Sequence, residues 1–209
     1  MGMSWAPQFH LKDVGILKEE NVFSGHCQIT QFELQFPLFE GGISKPVPRE
    51  LVYRPPAVAV LLYDPLADKV VLVEQFRVGA LREFESPWLL EIVAGVTEPD
   101  EPIIDTACRE VQEETGCTVL SLIPICSYLT SPGIFGEKIV VYCGQVKAPD
   151  MGGHHGLVDE GEDIKVWVLK TEEAFRLLFE GHIVSSPSII ALQWLKINQS
   201  SLRFPSGIE

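Results

Sequence analysis

Apolar and polar residues alternate over His26 to Leu38 (HCQITQFELQFPL), the period-two pattern of a strand with one buried face. Glu40-Gly41-Gly42 interrupts it as a turn, and a second run ends at Leu51-Val52-Tyr53. The stretch from Val14 to about Tyr53 is therefore expected to form a small antiparallel sheet. Two denser runs follow, Ala57 to Tyr63 (AVAVLLY) and Lys69 to Gln75 (KVVLVEQ), separated by Asp64-Pro65-Leu66-Ala67-Asp68. They predict a hairpin of buried strands. Trp88 to Ala94 (WLLEIVA), Thr118 to Leu129, Lys138 to Gln145 and Ile164 to Leu169 predict further strands.

Three stretches carry the helical period instead. The first lies within Gly95 to Cys117 (GVTEPDEPIIDTACREVQEETGC), where Asp100 and Glu101 offer a polar cap, Pro102 a first helical position and Gly116 a stop. Thr171 is expected to cap a second helix over EEAFRLLFEGH, and Ser186 with Pro187 to begin a third over SIIALQWLKIN. Strands, a helix, more strands and two late helices give an α+β class, an α/β/α sandwich. Residues 1–45 are expected to form an N-terminal β-sheet and residues 46–209 the main domain.

At about 100° per residue, Ile104, Cys108, Val111 and Thr115 fall on one side of the first helix, and Glu110, Glu113 and Glu114 on the other. One face is expected to be buried and the other negative. Glu110 and Glu114 form a like-charged i,i+4 pair, which destabilises a helix by roughly 0.2–0.5 kcal/mol. Both sit in its last turns, where the macrodipole prefers cations. Converging hard oxygens suit Mg²⁺ or Mn²⁺. The alternative is a solvated acidic face.

Composition narrows the partners. The chain has 29 acidic and 16 basic residues, a net charge of −13, which argues against nucleic acid or an anionic membrane. An anionic substrate then needs metal ions or a few placed arginines. No apolar run is long enough for a membrane span, and MGMSWAPQFH lacks the pattern of a signal peptide, so a cytoplasmic location is expected. Five cysteines without a CxxC pair are read as reduced, mostly buried thiols.

Gly95, Glu101, Arg109-Glu110-Val111, Glu113-Glu114 and Gly116 keep a fixed spacing that resembles the 23-residue signature of the Nudix hydrolases. Cys117 stands where that family usually has an aliphatic residue. The resemblance implies a Nudix fold with a mixed sheet, in which this loop, helix and loop hold divalent metal against a diphosphate. It extends beyond the signature. Val73-Glu74-Gln75-Phe76-Arg77, Pro87-Trp88-Leu89-Leu90-Glu91, Ser131-Pro132-Gly133, Glu162-Asp163-Ile164 and Ala191-Leu192-Gln193-Trp194-Leu195 are similar to the bacterial ADP-ribose pyrophosphatase branch.

That branch implies roles. The backbone carbonyl of Ala94, with Glu110, Glu114 and Glu162, is implied as the metal-ligand set, and Glu113 lies between two of them. Glu160 is implied as the residue that activates water. Arg109 is expected to orient the glutamates, Arg77 to hold phosphate, Arg49 with Glu50 to contact the nucleoside, and Pro132 and Gly133 to belong to the substrate site as well. A homodimer in which the N-terminal strands cover a partner is implied as well.

Read without the resemblance, Lys147 to Asp163 (KAPDMGGHHGLVDEGED) is a polar, Gly-rich loop beside the scaffold, the usual place for function. Adjacent His154 and His155, with no third ligand at metal spacing, are expected at the surface. The activity that the resemblance implies is hydrolysis of ADP-ribose to AMP and ribose 5-phosphate. The alternatives are another nucleotide-sugar diphosphatase, such as one for GDP-mannose, and a catalytically silent ADP-ribose sensor.

Overall fold

A computed structural model describes residues 5–157 and 161–203. The chain divides into two compact units, one made of residues up to 54 with 129–137, the other of 55–128 and the remainder. Among the described residues no helix is long and apolar enough to cross a membrane.

The first unit is an antiparallel three-stranded sheet of β1 (Gly15–Ser24), β2 (Gln28–Gln35) and β3 (Val47–Tyr53), in that order. Every residue of β1 is exposed. The ladder between β2 and β3 runs without a break from Gln28↔Tyr53 to Leu34↔Val47, and β1 slips register between Ile16 and Lys18 and between Asn21 and Phe23. Such bulges are common on an edge strand. Residues 129–137 close the other edge, where Val52 donates to Ile134 (2.8 Å) and Gly136 donates to Val52 (2.9 Å).

In the second unit β4 (Ala57–Asp64), β5 (Lys69–Phe76), β6 (Trp88–Glu91), β7 (Val93–Val96), β8 (Ser121–Leu129), β9 (Lys138–Gln145), β10 (His154–His155) and β11 (Ile164–Lys170) form one mixed sheet. Its order is β10-β11-β5-β4-β9-β8, with β6 on β5 and β7 on β4; the β4/β9 pair is parallel. All of β4 is buried because helices cover both faces. Ala59, Leu61 and Tyr63 share a cluster with α2 (Thr171–Phe179) and α3 (Ser186–Arg203), while Val58, Val60 and Leu62 share one with α1 (Ile103–Thr115). Period-two alternation thus feeds two cores from one strand, the expected α/β/α sandwich.

Three local expectations change. The run Trp88 to Ala94 is not one strand: it leaves β5 at Glu91 and joins β4 at Val93. The Ile92 N–H, freed at the change of partner, donates to the buried Ser188 hydroxyl at 3.0 Å. A buried amide without a ladder partner must find another acceptor. Neither Asp100 nor Glu101 caps α1; Pro102 is the N-cap residue, and Glu101 turns towards Arg109. Thr171 does not cap α2 but opens its first turn after Lys170, its hydroxyl buried. The thiols also divide, with Cys117 and Cys143 buried, Cys27 half-buried, and Cys108 and Cys126 exposed.

The β4/β5 turn is held by one carboxylate. Asp64 accepts from the amides of Leu66, Ala67 and Ala148, each at 2.9 Å. Burial pushes its pKa up, but these three donors and Lys69 outweigh it and leave the pKa below the usual aspartate value. Stability from this group is therefore full above the unfolded value near 3.8 and is lost as pH falls below it. Asp64→Asn should cost about 1–3 kcal/mol at neutral pH. In urea titrations of both proteins, the gap between them should narrow below about pH 4.

Candidate active site

Helix α1 carries the chemistry, and its buried face is rotated from the one expected. Ile104 is 53% exposed and Cys108 is exposed, whereas Thr106, Ala107, Val111, Glu114 and Thr115 are buried. Small Ala107 and branched Val111 pack on Val58 and Val60 of the sheet. That packing lays α1 beside β7 and carries Glu114 inward, to 2% exposure. The buried and negative faces overlap.

The consequence is electrostatic. Burial first, then the charges of Glu110 and Glu162, push the Glu114 carboxyl up to about 8; Arg77 and a hydrogen bond from the Ala94 backbone offset part of this. Its Oε2 is buried with no hydrogen-bond partner. An antiparallel strand residue turns its N–H and C=O to the same side, so the Ala94 carbonyl opens towards Glu114 too. Burial also raises Glu110, with Glu113 and Glu162 adding and Arg109 opposing. Gly95 leaves room beside them: a Cβ there would fall on the Glu110 carboxylate and displace it.

Arg109 organises the outer side of the helix. It grips Glu101 with two hydrogen bonds (Nε 3.0 Å, Nη2 3.1 Å), and its Nη1 reaches Glu110 at 2.8 Å and Glu113 at 3.0 Å. The guanidinium holds the Glu101 pKa down to about 2, helped by Thr106 and the Glu98 amide. The forked geometry favours bidentate carboxylate pairing. Arg109 is thus ion-paired to Glu101, Glu110 and Glu113 at once.

Arg77 follows β5, and its Nε donates to Glu91 Oε2 at 2.7 Å. Glu91 is only 8% exposed. Its part was not read from the sequence, although a carboxylate inside the apolar run WLLEIVA was the available signal. Glu162 belongs to the loop between β10 and β11, and Glu160 lies outside the described residues. Arg49, Glu50 and Gly133 belong to the first unit, where with Lys18, Phe32 and Pro48 they line an open cavity of about 640 Å³. Pro132 precedes Gly133 in the turn closed by Ile134 and Phe135 onto Ser131 (3.1 and 2.7 Å).

Among the described residues no three carboxylate, imidazole or thiol groups converge as a metal cage, and Glu110 is paired with Arg109. The donor set nonetheless fits a hard divalent cation. It offers a buried carboxylate oxygen without a partner, two carboxyls raised by burial and then by neighbouring charge, and only oxygen donors.

The chain belongs to the Nudix family: the NUDIX domain model matches residues 53–200. It is similar to the ADP-ribose pyrophosphatase of Haemophilus influenzae, with 41% identity over 204 residues, covering 96% of this chain and 94% of that protein. The ADP-ribose pyrophosphatase of Escherichia coli K12 is 40% identical over 195 residues, 93% of each chain. A solved structure described as an ADP compounds hydrolase superposes with a TM-score of 0.69 at 20% identity, covering 94% of this chain and 100% of that one. At that identity the structural match speaks for the fold, which is the expected α+β Nudix fold.

Because Glu114 is harder to ionise in the fold than in the unfolded chain, metal-free stability should decline as pH rises from about 4.5 to about 8. The total is roughly a few kcal/mol. Glu114→Gln removes the titrating group and should flatten that decline. Urea denaturation in chelator across this range reads it: a variant as pH-dependent as the wild type would contradict the assigned burial cost.

Proposed function

We propose that this protein is a Mg²⁺- or Mn²⁺-dependent pyrophosphohydrolase that cleaves ADP-ribose to AMP and ribose 5-phosphate. The observation that carries it is the buried, half-satisfied Glu114 crowded by Glu110 and Glu162 beside Ala94 and Gly95, in a chain with the complete set of charged and glycine signature positions. Burying clustered carboxylates is costly, and a bound cation would neutralise them in the ionised form. The full-length similarity to two ADP-ribose pyrophosphatases supports the substrate.

The ligands are assigned as the Ala94 carbonyl, Glu110, Glu114 and Glu162. A bound divalent cation would supply Lewis acidity and neutralise charge on the diphosphate. The protein's own groups do the rest. Arg77, steadied by Glu91, binds a phosphate oxygen. Arg109 keeps Glu110 and Glu113 oriented. Glu160 takes the proton as water attacks phosphorus and the diphosphate bond breaks, and no covalent enzyme intermediate forms. For the first unit, Arg49 and Glu50, beside Pro132 and Gly133, are assigned to the nucleoside.

The same unit is assigned as the dimerisation element. Ile16 (55% exposed), Phe23 (52%) and their neighbours Leu17 and Val22 leave β1 apolar and uncovered, more than a small sheet tolerates alone. Five free thiols fit a reducing compartment such as the cytoplasm. Deleting residues 1–45 should abolish the dimer and the activity together, as read by light scattering and turnover. A stable, active monomer would exclude this role.

Incubation with ADP-ribose and Mg²⁺ should release AMP, while GDP-mannose should turn over poorly. No product from either substrate would favour a silent sensor. The two loop glutamates should separate kinetically: Glu160→Gln lowers kcat with unchanged Mg²⁺ dependence, whereas Glu162→Gln also raises the Mg²⁺ concentration needed. Both losses should reach roughly two orders of magnitude. The reverse pattern would exchange the roles of base and ligand.

A further inference from the structure

The neighbouring histidines of β10 take different environments. His154 is exposed, as a surface residue should be, but His155 is half-buried. Strand alternation sends them to opposite sides. The His155 ring lies against two glycines: a Cβ on Gly116 would meet its Cε1 at 3.1 Å, and one on Gly153 its Nε2 at 3.1 Å. Gly116 is the left-handed C-cap of α1 (φ 67°), and the last turn of α1 contains no basic residue. The imidazole therefore fills the space at the end of the helix that carries Glu110 and Glu114.

What His155 fastens is the neck of the loop bearing Glu162. His155 pairs with Ile164 and His154 with Lys165. The Glu162 amide donates to Leu157 at 3.1 Å, and Val166 donates to Gly153 at 2.8 Å. Gly156 (φ 100°) lies so close to Glu162 that a Cβ would meet its carbonyl oxygen at 2.9 Å, and at Gly152 a Cβ would fall on the Val166 carbonyl. A two-residue ladder is a weak anchor by itself. Ile164 and Val166 of β11 already pack with Ala107 and Val111 of α1, and the ring at the helix end adds the link on the β10 side.

We propose that His155 is a positioning residue: seated between Gly116 and Gly153, its ring fixes β10 to the C-terminal end of α1 and so holds Glu162, whose amide is bonded to Leu157, opposite Glu110 and Glu114. The proposal rests on the assignment of Glu162 as a metal ligand. It acts through packing, since the contacts are ring to glycine. Residues that orient metal ligands typically cost about 10- to 100-fold in metal affinity or activity when removed.

The test uses the full chain and Mn²⁺ alone, with free Mn²⁺ followed by electron paramagnetic resonance, and kcat measured separately. His155→Ala should weaken Mn²⁺ binding and lower kcat about tenfold or more, with the melting temperature in chelator nearly unchanged. His155→Phe, which keeps a ring in the same space, should restore most of both, and His154→Ala should match the wild type. Unaltered Mn²⁺ affinity in His155→Ala would overturn the proposal and leave the assigned function standing. So would a loss that tracks a lowered chelator melting temperature and is not restored by Phe. If the wild type takes up no Mn²⁺, or Glu162→Gln binds it as well as wild type, the ligand assignment fails and this proposal falls with it.

Discussion

A carboxylate that is 2% exposed, with one oxygen unpartnered, is the constraint around which this molecule is arranged. Leaving Glu114 in that position costs the fold stability, so other interactions must keep α1 where it is. Ala107 and Val111 supply them by burying apolar surface on β4, about 1.5–3 kcal/mol for a side chain the size of valine. The absence of a Cβ at Gly95 leaves the volume that the Glu110 carboxylate occupies. Arg109 completes the arrangement from outside by tying Glu101, Glu110 and Glu113 to one guanidinium.

The strand exchange at Ile92 is the complementary device within the sheet. Because the run from Trp88 changes partner from β5 to β4, Glu91 reaches Arg77 while Ala94 and Gly95 lie under α1. Ser188 makes the exchange possible by accepting the amide that neither ladder can use. A buried serine in α3 is thus part of how the opposite helix layer obtains its geometry. Ser185, 2.6 Å from the Ser188 hydroxyl, fixes that side chain in turn.

With a net charge of −13, the chain has few cations with which to receive the anionic diphosphate proposed for it. Arg109 is occupied by three carboxylates and is not one of them. Arg77 is in a different position: a single buried carboxylate orients it, and its charge is felt at Glu114. This asymmetry explains why two arginines near one helix serve different ends. One ties three glutamates together, and the other is assigned to phosphate.

The sequence by itself determined the layered α+β fold, the helix from Ile103 to Thr115 and the family, because hydrophobic period and the spacing of glycines and glutamates are local properties of the chain. Through the resemblance it also led to Arg109 as the residue expected to orient glutamates, and its ion pairs to Glu110 and Glu113 join neighbours along one helix. It did not determine which face of α1 is buried. An ideal helical wheel ranks residues by polarity and put Ile104 and Cys108 inside; the sheet beneath selected the smaller Ala107 and accepted Glu114 with it. The Glu91–Arg77 pair, the Ser188 acceptor and the seat of His155 join residues 14, 96 and, for His155 with Gly116, 39 positions apart. Only tertiary structure decides such contacts, because they depend on where a strand changes partner and where a helix ends in space.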